Sequence, residues 1–245
     1  MIKPRHISDA EWQRRSDLAA AYQLFELFGF SDLVWTHLSA RVPDEPGHFL
    51  LNREGLMFDE VTASNLVKID IDGQAVDGGR ANPAAFTIHS AIYRADNAFE
   101  CAMHLHSRAV NAVSTLEDGL LAIHQFSLEV GEVAYHDYEG FALDHAERER
   151  LIDDLGDHRL MILRNHGMLT LGDTVAEAFK NAYYLEKACQ TQLDAMATGA
   201  RLRVIPDDTC RRSRQLAATW GEPGALEWQA LLRLLERRGI DAHQR

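Results

Sequence analysis

The sequence predicts an α/β protein with helices on both faces of a sheet. Three observations predict it. Segments with apolar residues at helical spacing alternate with short β-rich runs. Two S/T-x-x-E signals open the two longest helical segments. No internal repeat or low-complexity tract interrupts the alternation. Hydrophobic residues make up 46% of the 245 positions and charged residues 25%, enough apolar material for a sizeable core.

The first helix is expected from about Ser8 to Phe28. Ser8 and Glu11 form a capping box, Leu18, Tyr22, Phe25 and Phe28 share one face, and Gly29 stops it. Strands follow at Leu38 to Val42, Phe49 to Leu51 and Leu66 to Ile71, the last running into an Asp72-Gly73 hairpin-type turn. Pro83 opens a second helix that carries Phe86, Ile88 and Ala91 and ends near Arg94. Phe99 to Leu105 reads as a buried strand leading into a short helix from Ser107 to Thr115. Leu160 to Leu163 and Met168 to Leu171 are expected to pair across the Asn165-His166-Gly167 turn. Thr174 and Glu177 cap a long helix with an apolar stripe of Ala178, Phe179, Ala182, Leu185, Cys189, Leu193 and Met196, and Gly199 ends it. Helices at Arg211 to Thr219 and Ala225 to Arg237 close the chain. The charged run from Glu147 to Arg150 reads as an exposed helix face.

Composition excludes several functions. The net charge is −12, the opposite of a nucleic-acid footprint. Three cysteines, Cys101, Cys189 and Cys210, cannot all pair, so a disulfide scaffold is excluded and a reducing compartment is expected. The N-terminus has no apolar signal-peptide core, and no run approaches the ~20 apolar residues of a membrane span. The expected location is the cytoplasm. G-x-G-x-x-G, Walker A and G-x-S-x-G patterns are absent.

The chemistry concentrates in histidines. His104 and His106 lie at i and i+2, so a strand turns both imidazoles to one face. His166 ends another expected strand, in Arg164-Asn165-His166-Gly167. Three imidazoles with an open fourth position describe a catalytic metal site. Spacing alone leaves a chance surface pair equally open, and imidazole suits Zn, Cu, Fe and Ni alike. Of the other histidines, His6, His48, His145, His158 and His243 sit among polar residues and read as surface groups. His37, His89, His124 and His136 read as hydrogen-bonded core groups or as partners of ligands.

At these residues the chain resembles the class II aldolase/adducin family. The resemblance spans about Ser8 to Gly199 in five ordered blocks: Phe49 to Asp70, Asn82 to Asp96, Met103 to Ala109, Gly131 to Gly140 and Ile162 to Gly172. It implies a three-layer αβα fold around a central, mainly antiparallel sheet, occupying residues 1–205, with 206–245 as a C-terminal helical extension packed on the same domain. It also implies a homotetramer with sites near subunit interfaces. In the sugar-phosphate aldolase branch, zinc is held by both histidines of H-x-H, by the histidine before the late glycine, and by an upstream glutamate that is also the acid/base group. The histidines carry over to His104, His106 and His166. The glutamate position falls at Ala85, the phosphate-binding serine pair near Pro83 and Ala84, and the asparagine loop near Thr36 to Ser39, so the sugar-phosphate pattern is not kept. The blocks read closer to the adducin head and its bacterial relatives, which include decarboxylases and non-haem iron oxygenases.

The expected function is therefore a divalent-metal-dependent carbon–carbon lyase, a decarboxylase or retro-aldolase of a non-phosphorylated hydroxylated or oxo carboxylic acid. Zinc is the expected ion, with manganese or iron as alternatives. An Fe(II) oxygenase and a non-catalytic oligomerising module are the competing readings. Carbon–carbon cleavage leaves electrons on carbon that must be delocalised onto an oxygen, which a cation stabilises. Decarboxylation needs no base before the bond breaks, so loss of the glutamate hurts it least. Tyr135 and His136, in the block where aldolases carry a catalytic tyrosine, are the candidate catalytic groups, with Tyr138 and Glu129 beside them. His37, Arg53 and Arg108 are the candidate substrate contacts, since a guanidinium grips a carboxylate bidentately.

Overall fold

In the computed structural model, which describes residues 7–76, 78–95, 99–140 and 147–244, seven strands form one mixed sheet. They are β1 (His37–Arg41), β2 (His48–Leu51), β3 (Val67–Asp70), β4 (Cys101–Leu105), β5 (Ala134–His136), β6 (Leu160–Leu163) and β7 (Gly167–Gly172), in the order β3-β2-β1-β4-β7-β6-β5. Five of the six pairings are antiparallel, and only β5 runs parallel to its neighbour β6.

The helices are α1 (Asp9–Phe28), α2 (Pro83–Arg94), α3 (Arg108–Ser114), α4 (Gln125–Val130), α5 (Glu147–Leu155), α6 (Val175–Ala197), α7 (Asp207–Ala217) and α8 (Ala225–Arg237). Strand alternation divides the core in two. Cys101, Met103 and Leu105 of β4 face α1, α3, α6 and α8. Ala102 of β4 and Leu169 and Leu171 of β7 face α2 and α5. The result is helix, sheet, helix, as the family resemblance implies. Trp228 and Leu235 of α8 are buried in the same core as α1 and α6, with the Trp228 ring 5.7 Å from Phe179. Among the described residues no helix is long and apolar enough to cross a membrane. All three cysteines are free and buried.

Both long helices start where expected, but their glutamates differ from the capping-box reading. Ser8 Oγ accepts from the Glu11 N–H at 3.1 Å. The Glu11 carboxylate turns away, to Arg15 Nε and Lys68 Nζ, each at 2.8 Å. Thr174 Oγ1 likewise accepts from the Glu177 N–H at 3.1 Å, while the Glu177 carboxylate accepts from the N–H of Asp173. At the other end of α1, Gly29 adopts φ +71° and Phe30 N–H donates to Phe25 C=O.

Two elements lack a clear sequence signal, and a third begins earlier than expected. β5 has three residues, too few for an alternation to show. The helix α4 has six residues and is capped by the ring of His124 rather than by Ser, Thr, Asp or Asn. The expected Arg211 to Thr219 helix starts earlier, at Asp207, directly after Pro206.

The registers bring the informative loops to one end of the sheet. β1 begins, β2 and β4 end, β6 and β5 end, and β7 begins at this end, with His37 opposite His104, Leu105 opposite Met168 and His136 beside Leu163.

Candidate metal centre

His104 is buried on β4 and His106 lies two residues on, just past the strand end, so both rings leave the same face. His166 reaches them from the β6–β7 turn. The three ring centroids form an equilateral triangle with sides of 4.8 Å. One nitrogen from each ring lies within 4.8 Å of the other two.

The outer nitrogens fix what the inner ones present. His104 Nδ1 is 2.9 Å from the Met168 carbonyl, which only accepts, so Nδ1 carries the proton and Nε2 is bare. His106 Nδ1 is 2.9 Å from Asp32 Oδ2, with the same consequence. The two Nε2 atoms then face each other at 3.0 Å, lone pair to lone pair. That contact is repulsive unless a proton or a metal ion sits between them. A tetrahedral ion with bonds of 2.0–2.1 Å to nitrogen needs its ligands about 3.4 Å apart, so the donor set fits one with small ring movements. Burial, then the neighbouring imidazoles, push His104 well below the ordinary histidine range. Burial, then His106, push His166 down to about 4. Both rings are neutral at pH 7, as ligands must be.

The turn that delivers His166 is constrained on both sides. Asn165 takes a left-handed conformation, φ +57°, which asparagine tolerates better than most residues. At Gly167 a Cβ would lie 2.5 Å from the Leu105 carbonyl oxygen and 2.9 Å from the His106 ring, so only glycine lets β7 start against the end of β4. The helix α3 ties the two histidine segments together. Asn111 donates to the His106 carbonyl at 3.1 Å, and Asn165 N–H donates to the Ser114 carbonyl at 3.2 Å. The start of α3 is held in turn by Glu186 of α6, which accepts from Ser107 Oγ and from the N–H groups of Ala109 and Val110.

His37 is buried beside the triad, its centroid 4.9 Å from that of His104. Its Nδ1 meets His89 Nε2 at 2.7 Å. Ala85 is fully buried on α2, one turn before His89, so a methyl group stands on that helix face. His136 lies on the α2 side of the sheet, with Nδ1 2.7 Å from Asp154 Oδ2. Together with Tyr138, Arg164, His166 and Ile88 it lines a small pocket next to the triad.

Tyr135 does not join them. As the neighbour of His136 on β5 it points through the other face of the sheet, where Leu120 N–H donates to its hydroxyl at 2.9 Å and the Arg164 guanidinium stacks 4.3 Å above its ring. Tyr138 is the tyrosine beside the triad, half exposed and 6.3 Å from the His166 ring. Arg108 is exposed at the start of α3. Arg53 is exposed just past β2, where the β1–β2 register continued by two residues sets it across from His37. Glu129 pairs instead with Lys180 at 3.3 Å.

The remaining histidines are structural. His124 caps α4, His158 lies 3.0 Å from the Leu155 carbonyl, and His48 is half-buried beside Glu45. His243 is buried rather than a surface group, because the C-terminal turn folds back onto α1. His6 and His145 lie outside the described residues. Sequence reasoning did not single out Asp32 or Glu186. Asp32 lies 74 positions from His106 and Glu186 lies 79 from Ser107, and no local pattern marks either.

Residues 16–193 match the family described as Class II Aldolase and Adducin N-terminal domain. A protein of Caulobacter vibrioides, named only for aldolase class 2, is 44% identical over 236 residues, covering 94% of this chain and 92% of its own. Alpha-adducin of Rattus norvegicus is 39% identical over 243 residues, but these are 33% of its length against 92% of this chain. The crystal structure of an aldolase II superfamily protein from Pseudomonas syringae superposes with a TM-score of 0.91 at 48% identity, covering 97% of both chains.

Proposed function

Since the chain belongs to the class II aldolase and adducin family, whose members are typically divalent-metal-dependent lyases, we propose that it cleaves a carbon–carbon bond in a hydroxylated or oxo carboxylic acid, preferentially by decarboxylation. One observation carries the reading. Three imidazoles converge within reach of one ion, His104 and His106 with their Nδ1 atoms held by acceptors, while Ala85 presents a methyl group where the family's glutamate falls.

His104 and His106, through Nε2, and His166 hold the ion in this reading, and zinc suits the set best. When bound, a divalent ion supplies Lewis-acid polarisation of the substrate oxygen on which charge develops. Asp32 and the Met168 carbonyl keep two of the ligands in their binding tautomers. Arg53 and Arg108, exposed at the same end of the sheet, grip the substrate carboxylate. Alanine at 85 has no proton to move, so a reaction that begins by extracting a substrate proton lacks its base. Decarboxylation does not begin that way. The carbanion it leaves is protonated by a group of the pocket beside His166, where His136 and Tyr138 stand.

Metal-quantified protein is assayed against hydroxylated aromatic and oxo acids, following CO₂ and aldehyde release. About one divalent ion per chain is expected, and His104→Ala is expected to lose both ion and turnover while staying folded. Undiminished turnover in that variant overturns the proposal. The identity to alpha-adducin favours a second reading, a non-catalytic oligomerising module, for which metal-free protein unaffected by chelation would speak. Turnover that requires oxygen and iron would instead identify an oxygenase.

A further inference from the structure

The chemistry of His37 is set by residues that do not touch the triad. β1 places His37 and Ser39 on one face, and α2 places His89 and Tyr93 one turn apart against them. The polar atoms of these four side chains run in series. Tyr93 Oη lies 2.8 Å from Ser39 Oγ, Ser39 Oγ lies 2.5 Å from His89 Nδ1, and His89 Nε2 lies 2.7 Å from His37 Nδ1. All four residues are buried.

Such a chain can point in two directions, and the two are not equivalent. Tyr93 has one hydroxyl proton, and among the described residues Ser39 Oγ is the only hydrogen-bond partner of that hydroxyl. If His37 donates from Nδ1 to His89, the protons run outward, His89 donates to Ser39, and one of the two hydroxyl protons, that of Ser39 or that of Tyr93, is left buried without an acceptor. If the protons run inward, every donor is used. Tyr93 donates to Ser39, Ser39 to His89 Nδ1, and His89 Nε2–H to the bare Nδ1 of His37. Burial also disfavours a second proton on His89, pushing it down to about 3.

We infer that this chain holds His37 as a neutral imidazole protonated on Nε2, a hydrogen-bond donor to an oxygen of the substrate bound at the triad and not a fourth metal ligand. Tyr93, Ser39 and His89 are its positioning residues. The inward direction denies the ion a lone pair from His37, consistent with the convergent ligand set among the described residues being His104, His106 and His166. A neutral donor beside the site stabilises charge developing on a substrate oxygen without giving up its proton. The role ascribed to His37 rests on the lyase reading, whereas the tautomer does not.

The test is nitrogen-15 NMR of the full chain labelled at histidine, first metal-free and then with zinc. His37 and His89 are expected to be protonated on Nε2 in both states. Ser39→Ala removes the donor to His89 Nδ1, so both rings are expected to populate both tautomers. His89→Gln, whose amide N–H still donates to His37 Nδ1, is expected to keep His37 protonated on Nε2. His37→Ala is expected to leave zinc affinity unchanged, whereas loss of a true ligand would lower it by orders of magnitude. A wild-type His37 protonated on Nδ1 overturns the inference without recourse to any variant, as does a collapse of zinc affinity in His37→Ala. Failure of wild-type protein to bind zinc would sink the lyase proposal instead, and the metal-free spectrum would still decide the tautomer.

Discussion

Asp32 Oδ2 lies 2.9 Å from His106 Nδ1, a contact between the α1–β1 loop and the segment just after β4. It aims the His106 ring and keeps Nε2 free for the triad. Asp32→Asn retains an acceptor but loses the charge that strengthens the hydrogen bond from His106 Nδ1–H. Zinc affinity is expected to fall 10–100-fold, with the far-UV spectrum unchanged, as read by competition with a chromophoric chelator. Undiminished affinity would show that His106 is not a ligand.

Gly167→Ala tests the close approach that seats His166. The added Cβ would stand 2.5 Å from the Leu105 carbonyl, so β7 must move away from β4 where the triad is assembled. The expected cost is about 2 kcal/mol in denaturant unfolding, with weaker zinc binding. A stability loss that spares zinc affinity would mean that the turn relaxes without moving His166.

How much of this was legible in the sequence follows from the range of each interaction. His104 and His106 share a face because strands alternate, and the resemblance brought His166 to them. The long helices α1 and α6 carry their own stops and stripes. By contrast, Tyr135 and His136 are adjacent in sequence and on opposite faces of the sheet, a distinction that depends on β5, which is too short to be read. Asp32, Glu186 and the Tyr93–Ser39–His89 chain are joined to their partners by the sheet order and by helix packing. Neither is encoded in any local pattern.

The carboxylate at Glu11 gives a pH signature. Burial raises its pKa, but hydrogen bonds and charge from Lys68 and Arg15 outweigh burial and hold it below its ordinary value. A carboxyl with a depressed folded pKa stabilises the protein above the unfolded value and loses that contribution as pH falls through the folded one. Glu11→Gln is expected to lose about 3 kcal/mol at pH 7, a gap that begins to narrow as pH falls below the ordinary carboxyl value and closes only below the depressed folded one. A gap independent of pH would mean that packing, not charge, holds this corner.

Arg53 and Arg108 separate binding from chemistry. If either grips the substrate carboxylate, replacing it by Lys keeps the charge and loses the planar fork. KM is expected to rise about tenfold without a fall in kcat, because a carboxylate that leaves as CO₂ is held more tightly in the ground state than in the transition state. Equal falls in kcat and kcat/KM would assign that arginine to the reacting centre.

Glu186 controls the site from α6. Its buried carboxylate accepts four hydrogen bonds, from Ser107 Oγ, the N–H groups of Ala109 and Val110, and Gln190 Nε2. The first three meet the otherwise unpaired donors at the start of α3, the helix that clamps the His106 carbonyl and the Asn165 N–H. Glu186→Gln replaces one accepting oxygen with a donating NH₂ group, so at least one buried donor loses its partner and meets another donor. The expected cost is about 2 kcal/mol, a fall in Tm of about 4–8 °C for a chain of this length. Because α3 joins both histidine segments, zinc affinity should fall as well, by less than in Asp32→Asn, since no atom next to the ion is changed. A fall in Tm with zinc affinity intact would show that β4 and the β6–β7 turn hold the triad without α3.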